Sequence, residues 1–289
     1  MRLDATDIAD RTDQHRSRVT RLLADHPAQA PDGSPHPVWG FLFRYYSHKP
    51  ALLMRWHPGH GVDLDTPTEH AGYPHYVPTA DGHAVTVDPA YLETRARTVG
   101  FVDSLLRATA DRAPRLNCFG MHEWAMVYRA SASDIRHRTP LRLSPAATDA
   151  AVEASELRCT HFDAFRFFTE PAGPRNVTPL TRATQVDSEQ PGCVHAGMDL
   201  YKWAYKLSPL VDSDLVADAL EVAFDLRELD MRASPYDFAA LGFGPIAVET
   251  PAGRAEYVRR QTVLTDHAAL IRRRLIDSCA GLIDRQPPR

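Results

Sequence analysis

Four times along the chain a polar residue stands just ahead of a proline that opens a stretch with helical spacing: Asp88-Pro89, Ser144-Pro145, Glu189-Gln190-Pro191 and Thr250-Pro251. Proline suits the first turn of a helix, where its missing amide hydrogen has no intrahelical partner to lose, and a polar residue before it can cap the free amides. These pairs therefore mark helix starts, and they predict helices over about 88–110, 145–156, 191–207 and 252–280. Apolar periodicity adds two more. One covers 4–25, with Ile8, Val19, Leu22 and Leu23. The other covers 213–232, with Leu215, Ala219, Val222, Leu226 and Leu229 on one stripe. Its opposite side carries Asp218, Glu221, Asp225 and Glu228, which read as a solvated face.

Between these helices the chain is more broken. HPAQAPDGSPHP, residues 26–37, reads as a proline-broken linker. The aromatic stretch VWGFLFRYYSHKPALLMRWHPGHG suggests two short helices, the second beginning near Pro50. YPHYVPTADGHAVTV has apolar runs on either side of Asp81-Gly82, the pattern of a hairpin. The expected fold is mainly α with a small β-hairpin or short strands, a single compact helical domain over 1–289. Within it, 1–25 is an amino-terminal helical arm, 26–37 a linker and 38–289 the core. A chain of 289 residues with 44% hydrophobic and 24% charged residues has ordinary globular composition.

The same composition narrows the function classes. A formal net charge of −4 gives none of the basic surplus that phosphate binding favours, so nucleic acid is the less favoured partner and a small molecule the expected one. No apolar run is long enough to span a membrane. The first residues are too acidic and polar for a secretory leader, and four cysteines do not make a disulfide scaffold. The expected location is the cytoplasm. The first and last helices offer surfaces for a homodimer.

Chemistry-bearing residues concentrate in three segments, 117–129, 158–168 and 189–207. Each holds a histidine near a carboxylate and downstream of a cysteine: Cys118 with His122 and Glu123, Cys159 with His161 and Asp163, Cys193 with His195 and Asp199. In the second segment the spacing of His161 and Asp163 places both on one side of an extended strand. In the third, His195, Asp199, Lys202 and Lys206 recur at helical intervals and line one face of an otherwise apolar helix. That stripe reads either as a solvent-facing edge or as the wall of a functional cleft.

If the segments converge, a divalent ion, iron or zinc, ligated by His122, His161 and His195 is the economical explanation, with positions left open for water or substrate. Glu123, Asp163, Asp199 and Lys202 are then the candidate catalytic groups. Trp124, Arg166 and Tyr201 are the candidate substrate contacts. The reaction is hydrolytic or oxidative, on a small polar or nucleobase-like molecule. Thiolate ligation by Cys118, Cys159 and Cys193 would instead make a closed structural zinc site, although their spacings match no standard zinc pattern.

HPVWGFLFRYYSHKPALLMRWHPG, CFGMHEWAMVYR, CTHFDAFRFF, GCVHAGMDLYKWAYKL and ELDMRASPYD together resemble a mainly actinobacterial family commonly labelled 3-methyladenine DNA glycosylase. The resemblance runs over most of the chain. It implies metal-independent hydrolysis of an N-glycosidic bond. Asp163 or Glu123 would then supply the carboxylate, and Trp124, Phe165, Tyr201 and Trp203 would stack the base. A noncatalytic interaction protein is a third alternative, which metal content and a pocket probe separate from the two enzyme readings.

Overall fold

The structure, a computed structural model, describes residues 1–131, 133, 135 and 139–285. It is mainly helical. In chain order the elements are β1 (Arg2–Leu3), α1 (Ala5–Asp25), α2 (Gly40–Arg44), α3 (Pro50–Leu53), β2 (Asp63–Asp65), β3 (Tyr76–Pro78), β4 (Ala84–Val87), α4 (Pro89–Ala110), α5 (Met121–Ala125), α6 (Pro145–Glu153), α7 (Phe162–Phe165), α8 (Gln185–Ser188), α9 (Val194–Lys206), α10 (Ser213–Ala233) and α11 (Pro251–Ile283). Among the described residues no helix is long and apolar enough to cross a membrane.

The proline-opened helices begin where the sequence places them, apart from α9, which starts three residues beyond Pro191. The caps are formed as expected. The Asp88 carboxylate accepts the Ala90 amide at 2.9 Å, and the Ser144 hydroxyl accepts the Ala147 amide at 3.3 Å. The predicted hairpin is β3 and β4, paired antiparallel with Val77 opposite Thr86. It belongs to a larger sheet of order β1-β2-β4-β3, in which β1 runs parallel to β2.

The chain divides into two compact units, each assembled from separated stretches. The first unit takes Met1–Leu106, Leu200–Glu221 and the chain from Ile271 onward. Its core joins the sheet to α1, with Leu3, Ile8, Trp56, Val62, Leu64 and Val85 in contact. Helix α1 buries Ile8, Thr12, His15, Val19 and Leu22. The acidic stripe of α10 begins in this unit, where Arg18 pairs with Asp218 at 2.6 Å and with Glu221 at 2.8 Å.

The second unit takes Arg107–Asp199 and Val222–Leu270. One of its clusters gathers Cys159, Ala164 and Leu180 with Met126, Phe162, Phe165 and Phe168. Here the expected strand over the second histidine segment is corrected. His161 is the N-cap residue of α7, and its carbonyl accepts the amides of Ala164 and Phe165. The backbone ahead of it is satisfied by a side chain: Asn176 accepts the Cys159 amide at 2.8 Å and donates to the Cys159 carbonyl at 3.0 Å. Those bonds occupy the groups that a strand neighbour would need.

Candidate metal centre

Five short or half-length elements of the second unit bring their polar residues to one place. Helix α5 supplies His122 and Glu123, and the start of α7 supplies His161. Glu189 stands at the end of α8, α9 offers His195 and Asp199 one turn apart, and α10 offers Arg227 and Asp230. Two glycines permit the approach. Gly120 turns the chain into α5 at φ 71°, a left-handed conformation that side chains disfavour. At Gly197 a Cβ would come 2.5 Å from Leu226 Cδ1, so the missing side chain lets α9 lie close to α10.

The ligand-type atoms fall into two groups, within each of which all lie within 4.8 Å of one another. One holds His122, Glu123, His195 and Asp230; the other holds His161, Glu189 and Asp199. All seven side chains are buried, Asp230 completely. The two groups are adjacent, because the His195 ring is 4.5 Å from that of His122 and 5.4 Å from that of His161. The three sequence-predicted histidines therefore do come together. The sequence expectation that all three would share one ligand group is not met. His161 sits with its own two carboxylates, its Nε2 3.2 Å from Asp199 Oδ2 and 3.5 Å from Glu189 Oε1. Gln185 fixes that glutamate by donating to Oε1 at 2.7 Å.

In the first group, His122 Nε2 donates to Asp230 Oδ1 at 2.8 Å. Arg227 reaches Asp230 Oδ2 at 3.3 Å and Glu123 Oε1 at 3.5 Å. Burial alone would disfavour both charges of the His122–Asp230 pair, but each partner holds the other ionised. His122 is pushed well above the usual imidazole range, and Asp230 is held down to about 2. Glu123 is raised by burial and by the neighbouring Asp230 charge. His195 is driven well below its ordinary value by burial and by charged His122, so its ring is neutral. Its Nδ1 is buried with no hydrogen-bond partner.

A small cavity reaches this place. Cys118, Cys159, Cys193, His122, Tyr257 and Gln261 are among its walls, and its volume of about 10 Å³ admits one water-sized molecule. Cys118 Sγ is 3.5 Å from His122 Nδ1, and the Tyr257 hydroxyl and Gln261 Oε1 are buried without partners. The three cysteines thus converge as their histidines do, as free thiols. Burial raises Cys159 and Cys193 above the usual thiol range, which keeps them protonated.

Other sequence candidates lie elsewhere. Asp163 belongs to neither ligand group; Arg182 holds it at 2.6 Å and Arg166 at 3.4 Å. Arg166 is largely exposed, with its guanidinium over the Phe167 ring. Trp124 is fully buried and donates to the Ala233 carbonyl at 2.9 Å, so it offers no face for stacking. Tyr201 is also fully buried, in the first unit, between Tyr46 and His48. Lys202 is only 7% exposed, with Nζ 4.4 Å from the Trp203 ring centre. The stripe is therefore split: His195, Asp199 and Lys202 are buried, and only Lys206 reaches the surface.

Glu189, Gln185, Arg227 and Asp230 are missed by the sequence reading. A signal for the last two exists: they follow Ala223 and Leu226 by four residues, which puts charges on the apolar face of α10. Comparison of the chain with protein-family models, with curated proteins and with solved structures found no match.

Proposed function

We propose that the protein is an enzyme that holds a divalent ion, iron or zinc, at His122, Glu123, His195 and Asp230 and uses it on a small polar substrate. The observation that carries this reading is the buried His195 Nδ1: a neutral imidazole nitrogen with no partner, in a group that already gathers a second histidine and two carboxylates. Two imidazoles and two carboxylates are ligand types that suit iron or zinc. When bound, such an ion lowers the pKa of water or activates dioxygen. The adjoining cavity supports a reactant of that size at the His122 side.

The residues of the chain would do the following. Asp230 orients the His122 ring through Nε2, leaving Nδ1 toward the cavity. Arg227 offsets the charge of Asp230 and Glu123. Glu123, whose carboxyl is raised by burial and by the neighbouring Asp230 charge, would complete the ligand set beside His195. The buried thiols and aromatic residues keep bulk water out.

Metal analysis of protein purified without chelators, then reloaded with Fe(II) or Zn(II), tests the reading. One tightly held ion per chain is expected, and its absence under both loadings overturns the proposal. An ion would compete with the proton on His122 Nδ1, and the His122 pKa is raised, so binding should weaken as pH falls.

The glycosylase alternative, which rests on the family resemblance, makes a different demand. At net charge −4 duplex DNA should bind weakly and release near physiological salt. An anisotropy titration measures this. Salt-resistant binding of an alkylated duplex, with release of the modified base, would put the glycosylase first.

A further inference from the structure

The first unit has a larger cavity of its own, about 270 Å³, which the metal reading leaves unused. That is slightly below the range typical of drug-sized ligands. Its walls include Leu53, Pro74, Pro209 and Val216, with the rings of His48, His57 and Tyr205. His48 lies stacked on Tyr205 at 4.3 Å, and His57 Nδ1 is 3.0 Å from the Tyr76 hydroxyl. Burial lowers His48 to about 4 and His57 to about 3, so both rings are neutral at physiological pH. His75, at φ 68° and stacked on Tyr91 at 3.7 Å, closes another side. Flat, neutral, aromatic walls of this kind suit a planar ring.

Two polar features then define the ligand's edge. The first is His15, only 3% exposed, which also lines the cavity. Its Nε2 is 2.7 Å from the Leu53 carbonyl, which can only accept, so Nε2 carries the hydrogen. With Nε2 as the donor, Nδ1 is left as the ring's acceptor position, buried and without a hydrogen-bond partner. Asp214 Oδ1 lies 3.9 Å from it, beyond hydrogen-bond distance. The second feature is Arg55, the one guanidinium among the lining residues, whose group lies 5.0 Å from the Tyr73 ring centre. It is a donor for a ligand carbonyl.

We infer that this cavity is a binding site for a small, uncharged aromatic amide: a planar ring held by the imidazole and tyrosine walls, with N–H directed to His15 Nδ1 and C=O to Arg55. The inference is independent of any ion in the second unit, and apo and metal-treated protein should behave alike.

The test uses the intact chain and nicotinamide as probe, with methyl nicotinate as the control that keeps the ring and carbonyl but has no N–H. Calorimetry or ligand-observed NMR should show saturable nicotinamide binding at millimolar concentration or below. The ester should bind about tenfold more weakly, because it leaves the buried acceptor unmet. Arg55→Met should lower nicotinamide affinity by a similar factor, and Arg55 is only half-buried, so that variant keeps the fold. His15→Gln should remove the preference for amide over ester. No saturable binding of nicotinamide overturns the proposal. So does equal affinity for the two probes, or nicotinamide affinity unchanged in a folded Arg55→Met protein.

Discussion

Replacing Asp230 by alanine is expected to lower folding stability by about 3–5 kcal/mol, the cost of leaving buried partner charges uncompensated. The carboxylate is fully buried and receives both the His122 ring and the Arg227 guanidinium. Removing it strands an imidazolium and a guanidinium inside the protein. Asp230→Asn keeps the volume and an acceptor, so it should cost less. The pH dependence follows from the two shifts. His122 is raised in the folded protein, so its contribution is complete below its unfolded value of roughly 6.5 and fades as pH rises through the folded one. Asp230 is lowered to about 2, so its contribution is complete above roughly pH 4 and is lost as pH falls through 2. The pair is at full strength between those limits. Urea unfolding at about pH 5.5 compares wild type with both variants. Alanine and wild type unfolding at the same midpoint and slope would show that the pair carries no net stability.

The second large effect concerns His195. An ion present at a thousand times its dissociation constant should stabilise the wild-type chain by about 4 kcal/mol, provided that it binds only the folded form. His195→Ala should abolish that gain. It should do so without breaking a hydrogen bond at Nδ1, because that nitrogen has none. The cost to the apo protein is then mainly the cavity left by the ring. Thermal unfolding with and without Fe(II) or Zn(II) reads both quantities. If the ion stabilises the His195→Ala protein as much as wild type, it binds somewhere other than the proposed centre.

Much of the fold is legible because it is local. A polar residue followed by proline acts within one helical turn, and α4, α6 and α11 begin at Pro89, Pro145 and Pro251 accordingly. The hairpin is equally local, with Asp81-Gly82 between its strands. β1 is not legible: it has two residues, and its parallel neighbour β2 begins at Asp63. No short-range pattern announces such a pairing.

The site divides in the same way. His122, His161 and His195 stand out because each follows a cysteine and adjoins an acid, and all three come together. Their division into two groups depends on Glu189 and Asp230, whose roles appear only when α8 and α10 are in place. Asp230 lies close in sequence to the solvated acids of α10, and composition alone does not separate it from them. Asp163 illustrates the opposite error: it is two residues from His161 in sequence yet is held by Arg182. Trp124 and Tyr201 have the chemistry of stacking residues, but a ring with no exposed face can only pack.

The way each unit is assembled from separated stretches bears on how the chain is made. A ribosome delivers Met1 to Leu106 early, but the first unit also needs Leu200–Glu221 and the helix from Ile271 onward. The second unit likewise waits for Val222–Leu270 before Asp230 and Arg227 can meet His122 and Glu123. Neither unit can close while synthesis is only half done. Until α10 emerges, three histidines, three carboxylates and three thiols belong to a nascent segment with no finished interior to hold them. The protein is therefore one whose buried charges find their partners late, once Val222–Leu270 has been made.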